Sequence, residues 1–128
     1  MDTLTYLDLI RLKLSISDIV RAVDVVQERA TENQGFFRAR IRLQNDDFLE
    51  VAEYFAIEND RPLTIEYRFQ WMDPTMQHLR KRWDNAAHHQ GLPNFPHHVH
   101  VASESQIEPG SSLNIIALID LLEQELGV

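Results

Sequence analysis

The sequence predicts a single α+β domain over residues 1–128, in which an N-terminal helix and a C-terminal helix pack on one face of an antiparallel meander of about five strands. Three observations favour this class. Several segments alternate apolar and polar residues with the period of two that a half-buried strand requires. Short turn signals separate these segments, as they do in hairpins. The chain has 128 residues, which is enough for one hydrophobic core but not for two.

Helical patterns occur at the two ends of the chain. From residue 2 to about residue 14, apolar residues recur at three- and four-residue spacing, and Asp2 or Thr3 is the expected N-cap. Residues 112–126 carry a second apolar stripe, preceded by the pair Ser111-Ser112 as a candidate cap. We expect this second helix to cover the sheet.

Strands are predicted between the helices. They cover residues 18–29, 37–43, 48–58, 63–71 and 79–83. The fourth has the clearest alternation, and its predicted core face consists of Leu63, Ile65, Tyr67, Phe69 and Trp71. Residues 86–110 lack clear periodicity, and a loop of that length in a compact domain is usually functional or mobile.

Neighbouring strands of a meander place their polar residues on a shared side. The predicted polar face contains Arg38, Arg40, Arg42, Arg68, Arg80, Arg82 and His78, with the acids Glu50, Glu66 and Asp84 and the aromatic residues Phe36 and Tyr54. Guanidinium groups bind phosphate oxygens and stack on bases, so this face suits single-stranded nucleic acid. The alternative is an ordinary solvated face with cross-strand ion pairs.

Glu53 is a carboxylate at an apolar position of the third strand. We expect either a β-bulge that rotates its side chain outward, or a semi-buried acid with a raised pKa close to the functional site.

The composition excludes several kinds of chemistry. The chain has no cysteine, so disulfides, thiolate zinc sites and cysteine nucleophiles are absent. The N-terminus is acidic, and no apolar run is long enough for a membrane span. We expect a soluble cytoplasmic protein that does not interact with membranes.

Five of the six histidines lie between residues 82 and 100. With neutral histidines, residues 78–100 carry a charge of +2 and the remainder of the chain carries −10. This stretch is therefore a basic island in an acidic chain.

The histidines allow three kinds of chemistry. The pairs His88-His89 and His97-His98 could bind a metal ion together with Asp84, since imidazole and carboxylate are usual ligands for zinc. His98-x-His100 with Glu104 resembles the metal motif of cupins, although the C-terminal helix stands where a cupin needs strands. Alternatively, the histidines act as general acid and base without a metal. A structural role, in which the imidazoles and prolines hold a long loop in place, stays open as well.

The stretch Arg82 to His100, with the pattern RWDN-A-x-HH-x2-LP-x-FPHH-x-H, resembles the TumE toxins of prokaryotic toxin–antitoxin pairs. Further matching residues are Arg38 to Ile41, Glu53-Tyr54, Trp71 and Asp73, so the resemblance covers roughly residues 15–105. It implies a growth-inhibiting protein that is neutralised by a cognate antitoxin, often a small DNA-binding protein encoded beside it. The resemblance does not identify a reaction.

From the residues, we expect the toxin to act on RNA as a metal-independent ribonuclease without a cofactor. The predicted catalytic residues are His88, His89, His97, His98 and Glu53. The predicted substrate-binding residues are Arg38, Arg40, Arg68, Arg80, Arg82, Tyr54, Asp84 and Asn85. The alternatives are a non-catalytic binding module and a metal-dependent hydrolase that uses the histidine cluster. The protein could also form a homo-oligomer.

Overall fold

A computed structural model of the chain, described here for residues 1–127, contains two helices and one antiparallel sheet. The elements are α1 (Thr3–Ile16), β1 (Val20–Ala30), β2 (Gln34–Leu43), β3 (Phe48–Glu58), β4 (Arg61–Met72), β5 (Leu79–Asp84), β6 (His98–Val101), β7 (Ile107–Pro109) and α2 (Ile115–Glu125). Each strand pairs with its neighbours in sequence, so the order in the sheet is β1 to β7. The predicted α+β meander is confirmed, but the prediction of about five strands is wrong because the described chain forms seven.

The two additional strands lie within residues 86–110, which we expected to be irregular. Strand β6 has four residues and β7 has three, and such short segments provide too few positions for a detectable alternation. Their pairing extends the sheet beyond β5. The histidine-rich stretch therefore ends in a strand rather than in a free loop.

The N-cap of α1 is Asp2, as predicted, since its carboxylate accepts a hydrogen bond from the Thr5 amide at 2.8 Å. The predicted cap of α2 is wrong. Asn114, rather than the preceding serine pair, caps this helix by accepting from the Ala117 amide at 2.8 Å. Within residues 1–127, neither the 14-residue α1 nor the 11-residue α2 is long and apolar enough to cross a membrane.

Both helices contribute to the core on one face of the sheet. The buried apolar residues of the helices include Tyr6, Leu7, Ile10, Ile115, Leu118 and Ile119. They belong to one cluster with the inward residues of the central strands, such as Phe37, Val51 and Phe69. The opposite face of the sheet carries the polar side chains, so the positions that could bind a ligand lie away from the helices.

The first part of β4 departs from the predicted core face. A register shift opposite Tyr54 and Phe55 leaves Ile65 as an extra residue. Because a bulge reverses the alternation of side chains, Leu63 and Ile65 are 48% and 42% exposed, and Thr64 points inward instead. The prediction that Leu63 and Ile65 belong to the core is wrong, whereas Tyr67, Phe69 and Trp71 are buried as expected.

Candidate active site

Cross-strand pairing places the polar residues of five strands in two rows on one face. The first row runs Arg38, Ala52, Arg68, Asp84 and His98. The second row runs Arg40, Glu50, Gln70, Arg82 and His100. Directly paired residues of an antiparallel ladder lie on the same side. The structure therefore confirms that Arg40 and Arg68 share a face.

Several arginines of this face are already paired. Arg38 Nη2 and Arg40 Nε contact Glu50 Oε2 at 3.1 and 3.4 Å. Arg42 donates from Nη1 to the backbone oxygens of Asp46 and Pro74 at 3.0 and 3.2 Å. The contacts with Glu50 are the ordinary cross-strand ion pairs of the alternative interpretation, and they reduce the positive charge that Arg38 and Arg40 can offer a phosphate group.

Arg80 does not join the polar face. Its Nε lies 2.8 Å from Oδ2 of the buried Asp47, and its guanidinium lies 5.9 Å from the ring centroid of Trp71, a core residue. The register shift between β4 and β5 next to Trp71 accounts for this departure, because it removes Arg80 from regular pairing. The predicted substrate-binding role of Arg80 therefore has no support from its position.

A cleft of about 590 Å³ opens on the polar face beside β4, β5 and β6. Its volume is in the range of small-molecule sites and would hold a nucleotide. Side chains of three kinds line it: the aromatic Phe36 and Tyr54, the cations Arg68 and Arg82, and the imidazoles of His88, His89, His98 and His100. Glu66, Asp84, Asn85 and Glu104 are also part of the wall.

Asp84 and His98 form a buried pair at the base of the cleft. The Nε2 atom of His98 lies 2.8 Å from Oδ1 of Asp84, and the His98 Nδ1 atom lies 2.9 Å from the backbone oxygen of Pro96. His98 is thus held between the Asp84 carboxylate and the Pro96 carbonyl, with only 2% of its surface exposed.

His100 has hydrogen-bond partners on both ring nitrogens. Its Nδ1 atom lies 2.8 Å from the backbone oxygen of Glu104, and its Nε2 atom lies 3.1 Å from Nη2 of Arg82. Because a guanidinium only donates, the Nε2 atom accepts this hydrogen bond. Arg82 also contacts Asp84 through Nε at 3.3 Å and forms a two-point pair with Glu104. The hydrogen bonds from Arg82 hold the pKa of Glu104 below its ordinary value.

His88 and His89 are the exposed imidazoles of the cleft. The ring centroid of His89 lies 5.1 Å from that of His98 and 6.1 Å from that of His100. Its backbone is in the left-handed region, with φ of 59°, a conformation that is uncommon for residues other than glycine and is often found at functional sites. Desolvation and the neighbouring His98 and His100 hold the pKa of His89 below its ordinary value.

Arg68 is the cation of the cleft with the fewest constraints. It donates to Gln70 Oε1 at 2.8 Å. Among the carboxylates of residues 1–127, none lies within ion-pair distance of Arg68, whereas Arg82 contacts two. A guanidinium without a carboxylate partner is the better candidate to bind a phosphate group.

His97 lies on the other side of the sheet from the imidazoles of the cleft. Successive residues of an extended chain point to opposite sides, so His97 and His98 diverge. His97 Nδ1 lies 2.9 Å from the hydroxyl oxygen of Tyr67, and its ring is stacked on that of Tyr67. Of the four predicted catalytic histidines, the structure brings His88, His89 and His98 to the cleft and leaves His97 apart from them.

Glu53 also lies outside the cleft, on the core face and with 0% of its surface exposed. It accepts hydrogen bonds from the Tyr6 hydroxyl at 2.7 Å, the Thr64 hydroxyl at 3.0 Å and the Ile115 amide at 2.9 Å. Of the two alternatives for Glu53, no bulge rotates its side chain outward. Burial raises the pKa of this carboxyl, as the other alternative stated. Glu53 joins α1, β4 and α2, so the structure does not bring this predicted catalytic residue to the cleft.

Asn85 and Tyr54 combine a place in the cleft wall with structural contacts. The Asn85 amide accepts from the Tyr67 backbone N–H at 3.0 Å and donates to the Ile65 backbone oxygen at 2.9 Å, so it continues the ladder beside the bulge. The Tyr54 hydroxyl donates to Gln34 Oε1 at 2.6 Å and leaves its ring at the cleft. Asn85 is therefore engaged with backbone, whereas the Tyr54 ring is available for stacking.

His100 and Glu104 are polar residues of the cleft that were not among the predicted catalytic or substrate-binding residues. His100 interacts with Arg82, and Glu104 forms the outer side of the same cluster. The spacing His98-x-His100 does place both rings on one side of an extended segment, so the sequence contained a signal for His100. Glu104 follows the strand, and its approach to Arg82 depends on the turn between β6 and β7.

Comparisons with known proteins bear on the family of this fold and cleft. No curated protein and no solved structure matched the chain. The family model described as Toxin TumE matches residues 7–126, which include the whole sheet, most of α1 and all of α2. This match extends well beyond the roughly 90 residues on which the sequence resemblance rests. The chain belongs to the Toxin TumE family.

Proposed function

We propose that this chain is the toxin of a toxin–antitoxin pair and that it cleaves RNA without a metal ion in the cleft on the polar face. Membership of the TumE family supports the toxin role. The observation that carries the catalytic proposal is the grouping of two exposed imidazoles, His88 and His89, with the carboxylate-free Arg68 around one cleft of nucleotide size.

Arg68 is proposed to hold the phosphate group of the substrate. Its guanidinium presents donors to the cleft, and charge-assisted hydrogen bonds to phosphate oxygens are among the strong ones. Phe36 and Tyr54 pair directly across β2 and β3 at the same wall, where their rings can stack on bases. Arg38 and Arg40 extend this surface, although Glu50 already pairs with both.

His88 and His89 are proposed to transfer the protons. One neutral imidazole removes the proton of a ribose 2′-hydroxyl, whose oxygen attacks the adjacent phosphorus. The bond from phosphorus to the 5′-oxygen breaks, and the other imidazole, in its protonated form, gives its proton to that oxygen. The products are a 2′,3′-cyclic phosphate and a 5′-hydroxyl, and the two imidazoles exchange protonation states. No oxidant, reductant or metal ion enters this balance.

Asp84, His98, Arg82 and His100 are proposed as positioning residues rather than as proton carriers. The nitrogens of His98 and His100 already have hydrogen-bond partners, and both residues are buried. Their contacts hold the floor of the cleft beneath His89. This assignment gives His98 a different role from the one expected from the sequence.

The test measures cell growth, RNA cleavage and the folding of each variant. Induced expression of the wild type should arrest growth, and the purified protein should cleave RNA in the presence of a chelator. His88→Ala and His89→Ala should each lower the cleavage rate by about 10²- to 10⁴-fold. Arg68→Ala should weaken RNA binding and reduce its salt dependence. His78→Ala, which changes an exposed histidine outside the cleft, is the matched control and should retain activity.

Circular dichroism must show that each variant keeps the wild-type fold. Full toxicity in a His88→Ala/His89→Ala double variant would contradict the catalytic assignment. Toxicity without RNA cleavage would instead point to another target and to a non-catalytic use of the cleft.

We further propose that the partner of this toxin is a small DNA-binding antitoxin encoded beside it; family membership supports an antitoxin partner in general. Co-expression of the neighbouring gene should restore growth and yield a complex that co-purifies with the toxin. Unrelieved growth arrest with both proteins present would contradict this partner.

A further inference from the structure

The imidazoles of His89, His98 and His100 form a compact triad on the polar face. Each ring offers one nitrogen, and the three nitrogens lie within 4.8 Å of one another. The residues come from β6 and from the segment before it, so the fold rather than the local sequence assembles the group.

The hydrogen bonds around the triad leave suitable atoms for a metal ion. The Nδ1 atoms of His98 and His100 both donate to backbone oxygens, those of Pro96 and Glu104. In metal sites, the ligating histidine commonly donates its second ring N–H to a carbonyl, which fixes its tautomer and its orientation. The Nε2 atoms of both rings consequently face the cleft, and Asp84 lies 2.8 Å from one and 3.6 Å from the other.

We propose that His89, His98 and His100 bind one divalent transition-metal ion of the zinc class, with Asp84 as the fourth ligand. Zinc bonds of about 2.0–2.1 Å in a tetrahedron require donor atoms about 3.4 Å apart. The exposed His89 can approach the two buried rings by a side-chain movement. All four donors are nitrogen or oxygen, which suits Zn²⁺ and Co²⁺.

Arg82 competes with the ion for this position. Its Nη2 atom lies 3.1 Å from Nε2 of His100 and must give up that contact when a metal binds. The guanidinium keeps its pair with Glu104, so it has another anion to hold. Either the metal ion or the Arg82 guanidinium can therefore contact His100 Nε2, but not both at once.

This inference rests on the proposed function and predicts that the bound metal ion inhibits RNA cleavage. A metal ion bound to the His89 nitrogen occupies the lone pair that accepts a proton, so this imidazole can neither take up a proton nor afterwards deliver it. One bound ion per chain should therefore stop RNA cleavage, and a chelator should restore it.

The primary experiment measures binding rather than activity. Chelator-treated protein is titrated with Zn²⁺ by calorimetry and with Co²⁺ by visible absorption, and one equivalent with the spectrum of a tetrahedral site is expected. His89→Ala and His100→Ala should each weaken binding at least about tenfold. His88→Ala and His78→Ala, whose imidazoles lie outside the triad, should bind as the wild type does.

His89 is exposed, so its alanine variant tests the site even if the buried His100→Ala variant fails to fold. Absence of stoichiometric binding, or equal binding in His89→Ala, would overturn the metal site. RNA cleavage that persists with one bound equivalent would overturn the inhibition.

The two proposals fail in different ways. Absence of RNA cleavage under all conditions would overturn the proposed function and leave the measured metal site in place. Cleavage that depends on added Zn²⁺ would overturn the metal-independent reaction and the inhibition together, while supporting the site. Cleavage without metal binding would overturn this inference alone.

Discussion

Replacing Glu53 by alanine should destabilise the fold by about 3 kcal/mol or more. The carboxylate accepts hydrogen bonds from Tyr6, Thr64 and Ile115, and it is completely buried. A buried donor that loses its partner costs about 1–3 kcal/mol, so three donors cost about 3 kcal/mol at the lower limit. Total stabilities are only about 5–15 kcal/mol, so the loss should be readily measured.

Glutamine at position 53 separates the charge from the hydrogen bonds. Its Oε1 atom can still accept from Ile115, and its amide can donate to the Tyr6 and Thr64 hydroxyl oxygens once these hydroxyls turn their protons away. Burial raises the pKa of Glu53 above its ordinary value of 4.5, so the folded state binds this proton more tightly than the unfolded state. Stability of the wild type should therefore fall as the pH rises from 4.5 through the raised pKa. The Glu53→Gln variant should lack this contribution.

Urea denaturation followed by circular dichroism, at several pH values, measures both effects. Glu58→Ala is the matched control, since Glu58 is an exposed glutamate at the end of the same strand, and its effect should stay within about 0.5 kcal/mol. An equally small effect of Glu53→Ala would refute the reasoning. Glu53→Gln should also retain RNA cleavage, and loss of cleavage in a folded Glu53→Gln protein would return Glu53 to the catalytic residues.

Two further substitutions test the packing that holds the sheet in place. Gly35→Ala should cost about 1–3 kcal/mol in thermal unfolding, because the added carbon would lie 2.4 Å from Cζ of Phe55, and an unchanged melting temperature would contradict the tight contact. Asp47→Ala should cost about 2 kcal/mol in urea denaturation, since the buried Trp71 Nε1 donates to this carboxylate at 2.9 Å. Arg80→Ala should also destabilise the protein by leaving the Asp47 carboxylate buried without its cation, and it should leave RNA cleavage intact.

The fold was predictable where alternation was long and regular. Arg38 to Leu43 and Tyr67 to Trp71 have side chains on the predicted sides, because one buried face requires a strict period of two. The same rule failed at Ile65, where an extra residue reverses the alternation and no turn residue marks the bulge. Strands β6 and β7 escaped prediction because they are too short to show a period.

The candidate site was predictable only in outline. The concentration of histidines before residue 100 indicated the correct region, but it could not separate His97 from His98, which requires knowing where β6 begins. Glu53 has an apolar position in its strand, and only the three-dimensional contacts show that a helix amide and two hydroxyls satisfy it. The positions of His98 and Glu53 both depend on contacts with residues distant in sequence, which the sequence pattern does not reveal.

The order of the strands has a consequence for how the toxin is made. Each strand pairs with the strand that precedes it in sequence. A chain that is synthesised from its N-terminus can therefore extend the sheet one hairpin at a time. Asp84 can contact His98 and His100 only after these histidines have been synthesised. In the same way, the Glu53 carboxylate lacks one hydrogen-bond donor until Ile115 has been added to the chain. The cleft is therefore incomplete until the polypeptide has been synthesised through Glu104, the last residue of its wall.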